Sequence, residues 1–214
     1  MLDTYRHKGL RKKLVEEIQK KGISAQNVLK AIENVPRHFF MDNAFLEHAY
    51  EDKAFPIGAE QTISQPFTVA YQTELLKIKK GDKTLEIGTG SGYQTCILLE
   101  LGAKVYSIER QKLLYDKTIK FLPCIGYHAK LFYGDGYKGL PTFAPFDKIL
   151  VTAGAPSVPE DLIQQLTLGG RLVIPVGKSN SQVMTLLIKT SEKDFKKLEL
   201  DKFRFVPLLD DKVW

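Results

Sequence analysis

The chain has 214 residues, 43% of them hydrophobic, which is enough to bury a core within one domain, residues 1–214. No apolar run is long enough to span a membrane, residues 1–21 do not resemble a secretory signal, and two cysteines cannot form a disulfide framework, so we expect a cytoplasmic protein. The net charge of +6 raises the question of nucleic acid, but acidic residues alternate with the basic ones, which is more typical of solvated helix faces.

The N-terminal third predicts helices followed by an irregular segment. Apolar residues three and four positions apart mark one face of a first helix, which Gly22 can end. Ser24 is the candidate N-cap of a second helix. Residues 37–63 show no clear period and are expected to be irregular but packed. Residues 1–65 are therefore predicted to be an appendage to an α/β core, residues 66–214.

From residue 66 onward, helical and strand-like segments alternate. We predict helix 66–77, strand 83–87, helix 92–101, strand 104–109, helix 111–121, strands 129–133 and 147–151, helix 159–166 and strand 171–176. This order indicates a doubly wound, mostly parallel sheet with helices on both faces. Two further strand-like runs, 183–189 and 198–206, have no helix between them and are predicted to pair antiparallel.

The loop after the predicted strand 83–87 is the most informative segment. It reads Glu86-Ile87-Gly88-Thr89-Gly90-Ser91-Gly92-Tyr93, and its glycines let the backbone turn tightly and approach a ligand. A dinucleotide fingerprint needs its third glycine at position 93, where Tyr93 stands. The pattern E-x-G-x-G-x-G is instead that of class I S-adenosylmethionine-dependent methyltransferases, which have a Rossmann-like fold. A purely structural glycine turn is the alternative.

Acidic residues follow the next two strands. Glu109 is 21 residues after Gly88, the spacing at which a carboxylate accepts both ribose hydroxyls, although a solvated strand end is also possible. Asp135 lies between two glycines and can reach an adenine amine, but Asp-Gly is also ordinary turn chemistry. Glu109, Asp135 and the turn at 152–156 all follow predicted parallel strands. Because ligands bind beyond the carboxyl ends of such strands, we expect all three at the ligand-binding edge of the sheet.

The sequence lacks the motifs of several other methyltransferase classes, and this narrows the choice of methyl acceptor. The turn Thr152-Ala153-Gly154-Ala155-Pro156 lacks the Asn- or Asp-Pro-Pro-aromatic sequence of many adenine methyltransferases. Pro123-Cys124 lies on the wrong connection for the cysteine nucleophile of cytosine C5 methylation. The four histidines are scattered and no group of residues has metal-ligand spacing, so we predict no metal.

The segment from Gln61 to Pro66 allows two interpretations. Ser64 can cap the following helix, with Pro66 in its first turn. The hydroxyls of Thr62 and Ser64, together with N–H groups at the helix start, can also form a cradle for a carboxylate.

With this segment included, the sequence resembles the protein-L-isoaspartate O-methyltransferase family over roughly residues 5–209. The shared motifs are Pro36-Arg37, Ala49-Tyr50, 61–66, 85–93, 134–136, 144–147, Gln165-Leu166, Gly169-Gly170, 175–177 and 204–208. The motif Gln-Thr-Ile-Ser-Gln-Pro at residues 61–66 is close to diagnostic of this family. The sequence departs from the family pattern at two places. Ala59-Glu60 precede Gln61 where the family commonly has a glycine, and the chain ends soon after Leu209, so whether residues after Leu209 cover the cofactor is left undecided.

The resemblance implies methyl transfer from S-adenosylmethionine, with S-adenosylhomocysteine as product, to the free α-carboxylate of L-isoaspartyl residues in damaged proteins and peptides. It implies Ser64 as the active-site serine and the following substrate contacts: Thr62, Ser64, Val206, Pro207 and Leu208. The implied cofactor contacts are Thr62, Ile63, Ser64, Glu86, Gly88, Gly90, Glu109, Arg110, Asp135 and Gly136.

This chemistry needs no general base, because a carboxylate is already ionised at neutral pH and a sulfonium methyl is an activated electrophile. The site must mainly align oxygen, methyl carbon and sulfur, which can be worth roughly 7–11 kcal/mol. Two rival functions remain. An RNA methyltransferase would use the same pocket and explain the basic charge, whereas a non-catalytic binding protein would keep only the fold.

Overall fold

The computed structural model describes residues 2–178 and 181–213. The N-terminal part contains α1 (Tyr5–Lys20), α2 (Gln26–Asn34), two 3-10 helices (Arg37–Phe40 and Asn43–His48), β1 (Phe55–Gly58), β2 (Gln61–Ile63) and α3 (Pro66–Leu76). The α/β part follows as β3 (Lys83–Ile87), α4 (Tyr93–Glu100), β4 (Lys104–Glu109), α5 (Lys112–Cys124), β5 (Lys130–Tyr133), a 3-10 helix (Pro141–Phe143), β6 (Phe146–Val151), α6 (Glu160–Gln164), β7 (Leu166–Lys178), β8 (Ser181–Lys189) and β9 (Phe195–Phe203).

The large sheet has seven strands in the order β5-β4-β3-β6-β7-β8-β9. The first five are parallel, β8 is antiparallel to β7, and β9 is antiparallel to β8. The predicted fold, a mostly parallel α/β sheet with N-terminal helices and antiparallel pairing at its C-terminal end, is therefore confirmed. Among the described residues, no helix is long and apolar enough to cross a membrane.

The central strands bury both of their faces. Ile149 of β6 and Leu172 of β7 belong to one apolar cluster, while Leu150 and Val173, the next residues along these strands, belong to another. Successive side chains of a strand point to opposite faces, so a continuous apolar run is what a sheet covered on both sides requires. This layered packing holds the carboxyl ends of the parallel strands at one rigid edge, where the candidate site lies.

The segment predicted to be irregular contains a β-hairpin. β1 pairs antiparallel with β2, and the two connecting residues, Ala59 and Glu60, have φ values of 50° and 57°. Positive φ at both central residues is what a type I′ hairpin turn requires. Asn-Gly and Asp-Gly usually fill these positions because the left-handed conformation is costly for other residues. Ala-Glu therefore carries no turn signal in the sequence.

The sequence suggested two N-caps, and neither is present in the structure. Ser24 does not cap α2; instead Glu74 Oε1 on α3 accepts hydrogen bonds from two backbone N–H groups at the start of α2. Ser64 does not cap α3, whose N-cap residue is Gln65; instead, Asp52 Oδ1 accepts a hydrogen bond of 2.7 Å from the backbone N–H of Phe67. In both cases the acceptor comes from a carboxylate distant in sequence, which local patterns cannot reveal.

The predicted helix 159–166 and strand 171–176 have different bounds in the structure. The helix α6 is only five residues long, and β7 already begins at Leu166. Phe146 pairs with Leu166 and Lys148 with Arg171, so β7 has extra residues at an irregularity in the register. The pairing with β6 thus extends the strand to Leu166, the last residue of the predicted helix, and through residues 167–170, which were predicted to be neither helix nor strand.

Candidate active site

The glycine loop joins the end of β3 to the start of α4. Gly88, Gly90 and Gly92 have φ values of 95°, 54° and 86°, all in the left-handed region that favours glycine. A Cβ atom on Gly88 would lie 2.4 Å from Thr152 Oγ1, so no other residue fits there without rearrangement. The tight turn predicted from the glycine spacing is present, and backbone rather than side chains forms this wall of the site.

Glu109 fastens the loop from the end of β4. Only 4% of this residue is exposed, and its two carboxylate oxygens accept hydrogen bonds of 2.8 Å from the backbone N–H groups of Gly90 and Gln111. Burial raises the pKa of Glu109, and the backbone donors oppose that rise. A carboxylate oxygen can accept more than one hydrogen bond. Glu109 can therefore receive two hydroxyl groups of a ligand while still holding the loop.

Glu86, predicted as a cofactor contact, lies fully buried beneath the loop and away from the cavity wall. Its Oε2 accepts hydrogen bonds from Thr95 Oγ1 at 2.5 Å and Ser107 Oγ at 2.7 Å. Thr89 Oγ1 is 2.6 Å from Ser107 Oγ, and since Ser107 donates its only proton to Glu86, Thr89 donates to Ser107. Burial raises the pKa of Glu86 to about 7. Glu86 thus supports Thr89 of the loop through Ser107.

Gly136 and Asp135 take different positions at the end of β5. Gly136 lines the cavity, and a Cβ atom there would lie 2.4 Å from Ile87 Cγ2. Asp135 stands outside the lining residues, and its Oδ1 accepts a hydrogen bond of 2.9 Å from Tyr137 N. The ordinary turn contact, the alternative interpretation from the sequence, is therefore present at Asp135.

Arg110 brings the C-terminal segment to the site. Arg110 lines the cavity, while its guanidinium donates hydrogen bonds of 3.0 Å to the carbonyl oxygens of Asp210 and Asp211. The backbone N–H of Val213 donates in turn to the Arg110 carbonyl oxygen. Leu209 forms part of the cavity wall. Residues 210–213, whose position the sequence left open, are thus fastened beside the cavity.

These elements surround one cavity that opens to solvent. Its wall includes the glycine loop, the end of β4, the turn after β6, and two segments from outside the parallel strands, 61–64 and 206–209. The second segment is held against the sheet because Gly154 N donates to Val206 O and Leu208 N donates to Gly154 O. The structure therefore brings Thr62, Ile63, Ser64 and the 206–208 segment to the same cavity as the glycine loop.

A second cavity adjoins the first, and Thr62, Ser64, Thr152 and Val206 line both. The second cavity extends between the start of α3 and the end of β9. Of the described residues that line it, two are cationic, the exposed Lys202 and Arg204, and none is acidic. Within the described part of the chain, the Ser64 hydroxyl has no hydrogen-bond partner. Ser64 is thus available to a ligand at the junction of the two cavities.

The comparison with protein families decides the assignment. The sequence model of the family described as protein-L-isoaspartate(D-aspartate) O-methyltransferase (PCMT) matches residues 9–213. The chain belongs to this family. Among curated relatives, the protein-L-isoaspartate O-methyltransferase of Christiangramia forsetii is 65% identical over 213 residues, which cover 99% of this chain and 100% of that protein. The protein of the same name from Flavobacterium psychrophilum is 61% identical over 213 residues, with the same coverage.

Solved structures of the family share this fold. One protein-L-isoaspartate O-methyltransferase superposes with a TM-score of 0.84 at 31% identity, covering 92% of this chain and 65% of that chain. The Plasmodium falciparum protein, described as a protein-L-isoaspartate O-methyltransferase in complex with S-adenosyl-L-homocysteine, superposes with a TM-score of 0.80 at 25% identity. That match covers 93% of this chain and 98% of the other. The resemblance and the enzyme class inferred from the sequence are confirmed.

Two residues shared with the family pattern have structural partners that the sequence did not suggest. The guanidinium of Arg37, which is fully buried, lies 4.9 Å from the centre of the Tyr93 ring at the start of α4. Burial lowers the pKa of Arg37 to about 10 and raises the pKa of Tyr93 to about 12. Since Tyr93 lines the first cavity, Arg37 supports its wall from behind.

Thr152 lines the cavity, as expected for the turn after β6, but the sequence predicted no contact for its side chain. Its Oγ1 lies 2.9 Å from the carbonyl oxygens of Ile87 and Gly88, so it links the turn after β6 to the start of the glycine loop. Its position directly after an apolar strand was the available signal, because strand ends meet at this edge of the sheet.

Two of the four histidines, predicted to be scattered, lie together. The rings of His7 and His38 stack with centroids 3.9 Å apart, and Asp3 is close to both. Arg11 donates to both carboxylate oxygens of Asp3, and His38 Nδ1 is 2.6 Å from the hydroxyl of Tyr50. These groups are committed to contacts that fasten the start of α1 to the first 3-10 helix.

Proposed function

We propose that this family member transfers a methyl group from S-adenosylmethionine to the free α-carboxylate of L-isoaspartyl residues in damaged proteins and peptides. One observation carries the proposal: two cavities meet at Ser64. The first has the backbone turn and the buried carboxylate that suit a nucleoside, and the second is open and cationic, which suits a carboxylate-bearing peptide.

The residues of the first cavity fit S-adenosylmethionine. Glu109 has acceptor capacity left for the ribose hydroxyls, and the glycine loop lets the ligand approach the backbone. The residues proposed to contact the cofactor are Thr62, Ile63, Ser64, Gly88, Gly90, Glu109, Arg110, Asp135 and Gly136. Glu86 would act on the cofactor only through the loop that it supports. When bound, the cofactor supplies the methyl group on an activated sulfonium.

Ser64 is proposed to position the acceptor. Its hydroxyl would donate a hydrogen bond to one oxygen of the isoaspartyl carboxylate, leaving the other oxygen free to approach the methyl carbon. Thr62 and the segment Val206-Pro207-Leu208 would hold the peptide beside it. No proton has to be removed, because the carboxylate is ionised at neutral pH. The contribution of the protein is alignment, which can be worth roughly 7–11 kcal/mol.

Discrimination between isoaspartyl and aspartyl linkages follows from the same geometry. The isoaspartyl linkage puts an additional methylene group in the main chain, which changes where the free carboxylate points relative to the peptide backbone. A carboxylate in the aspartyl arrangement would be displaced from the line to the methyl carbon, and alignment tolerates little displacement. Isoaspartyl proteins and peptides are the proposed partners; a cytoplasmic location and the absence of a nucleic-acid partner stay predictions.

Two peptides that differ only in one linkage test the function. With labelled S-adenosylmethionine, the L-isoaspartyl peptide should accept methyl groups and the L-aspartyl peptide should not. The ester should release methanol on mild base treatment, since the neighbouring amide nitrogen can displace methanol and close a succinimide. Equal methylation of both peptides would refute the proposal. Base-stable label in tRNA alone would also refute it and would favour an RNA methyltransferase.

The role of Ser64 is tested separately from the function. Ser64→Ala should lose most of its kcat while its affinity for S-adenosylmethionine changes little. Ser64→Thr should retain part of the activity, because the mechanism has no covalent intermediate on Ser64. Normal kcat in folded Ser64→Ala would remove Ser64 from the mechanism, even if the peptide assay supports the proposed function.

A further inference from the structure

Asp52 connects the N-terminal helices to the segment that carries Ser64. Its side chain is only 2% exposed. Oδ1 accepts a hydrogen bond of 2.7 Å from the backbone N–H of Phe67, and Oδ2 accepts one of 2.9 Å from Gln65 Nε2. Lys21 Nζ on the C-terminal side of α1 lies 2.6 Å from the same Oδ2. One buried carboxylate therefore joins the end of α1 to the start of α3.

The two contacts with Gln65 and Phe67 lie on either side of Pro66. Pro66 has no N–H group, so the Phe67 N–H is among the first backbone donors of α3 without a partner inside the helix. A negative charge at this position is also stabilised by the helix dipole. Asp52 thereby caps the start of α3 and holds Gln65 and Phe67, the residues on either side of Pro66.

The Ser64 side chain has no comparable support of its own. In the part of the chain that the structure describes, no group forms a hydrogen bond with its hydroxyl, which lies at the junction of the two cavities. The position of the hydroxyl is therefore set by the backbone that carries it. On its C-terminal side, Asp52 holds this segment through the backbone N–H of Phe67 and the side-chain amide of Gln65.

We propose that Asp52 is a positioning residue for Ser64, an inference that rests on the proposed role of Ser64 in holding the acceptor carboxylate. Asp52 does not line either cavity and so acts through the residues it holds. Because in-line transfer requires close alignment, a displacement of about 1 Å can cost on the order of 10²-fold in rate. Loss of Asp52 should affect the acceptor step and leave cofactor binding largely intact.

Asp52→Ala tests the proposal in the full-length protein. We expect kcat for an L-isoaspartyl peptide to fall at least tenfold per folded molecule, while the Kd of S-adenosylmethionine, measured by calorimetry, stays within about threefold of the wild-type value. Asp52→Asn keeps an oxygen for Phe67 N–H but replaces the other acceptor with an amide nitrogen, so its kcat should lie between those of Asp52→Ala and the wild type. If Asp52→Ala does not fold, Asp52→Asn provides the test.

Glu74→Ala is a matched control for helix capping. Glu74 also accepts hydrogen bonds from the start of a helix, but the helix is α2, and Glu74 lines neither cavity. Its loss should lower the melting temperature and leave kcat within about twofold of the wild-type value. Equal losses of kcat in the Asp52 and Glu74 variants would show a general effect of destabilisation and overturn the proposal.

The outcomes separate this inference from the function on which it rests. Methylation of the isoaspartyl peptide by the wild-type protein establishes the function, and a low kcat in Ser64→Ala establishes the role of Ser64. If both hold and Asp52→Ala or Asp52→Asn has wild-type kcat, the inference about Asp52 alone is wrong. A parallel loss of cofactor affinity and kcat would also contradict it, since Asp52 is proposed to act on the acceptor side.

Discussion

Glu86 should make the folded protein lose stability as the pH rises from about 4.5 to about 7. Its carboxyl group is fully buried, and burial raises its pKa from the ordinary 4.5 to about 7. Below pH 4.5 the group is protonated in both states, and its contribution to stability is fully present. As the pH rises toward 7, the unfolded chain releases the proton while the folded protein retains it, so that contribution is lost.

The shift in pKa sets the magnitude of this effect. A pKa raised from 4.5 to about 7 corresponds to about 3 kcal/mol of unfolding free energy over the full range. Glu86→Gln has nearly the same shape and keeps an acceptor for Thr95 and Ser107, but it cannot ionise. Relative to the wild type, the variant should therefore gain about 3 kcal/mol between pH 4.5 and pH 8.

Urea unfolding of both proteins at pH 4.5, 6 and 8 measures this difference. Other titrating groups are common to the two proteins, so the difference between the curves reports Glu86 together with its electrostatic interaction with Glu109. Glu192→Gln, at an exposed position, controls for the removal of one charge. Wild-type and Glu86→Gln curves that run parallel across this pH range would refute the assignment of a buried, proton-binding carboxyl beneath the glycine loop.

Three further predictions concern the walls of the site. Glu109→Ala should weaken S-adenosylmethionine binding at least tenfold, because each hydrogen bond to a charged group is worth about 1.5–3 kcal/mol; calorimetry of the folded variant showing unchanged affinity would remove Glu109 from the site. A59N/E60G should raise the unfolding free energy by about 1–2 kcal/mol, since both residues have the left-handed conformation; a urea midpoint at or below that of the wild type would contradict this strain. The preference of the enzyme among isoaspartyl peptides is the ratio of kcat/KM for a peptide flanked by glutamate to kcat/KM for one flanked by lysine. Arg204→Glu should lower this ratio by roughly two- to fivefold. An unchanged ratio would place Arg204 outside the peptide path.

The sequence by itself determined the features that depend on neighbouring residues. The alternation of apolar runs and turns predicted the parallel strands and their order of appearance, because a strand buried on both faces needs a continuous apolar run. The glycine loop was readable since left-handed backbone favours glycine. The spacing to Glu109 indicated its place beside the loop, because adjacent parallel strands end at one edge.

Only the tertiary structure decided which distant groups meet. Asp52 and Glu74 accept hydrogen bonds at the starts of helices that begin far from them in sequence, and within residues 2–178 and 181–213 the Ser64 hydroxyl has no hydrogen-bond partner. Glu86 lies in the motif of a cofactor loop, yet its side chain is fully buried beneath the loop, where Oε2 accepts hydrogen bonds from Thr95 and Ser107. Burial and hydrogen bonding of a carboxylate depend on every element packed around it, so its role follows from the fold and not from its position in a motif.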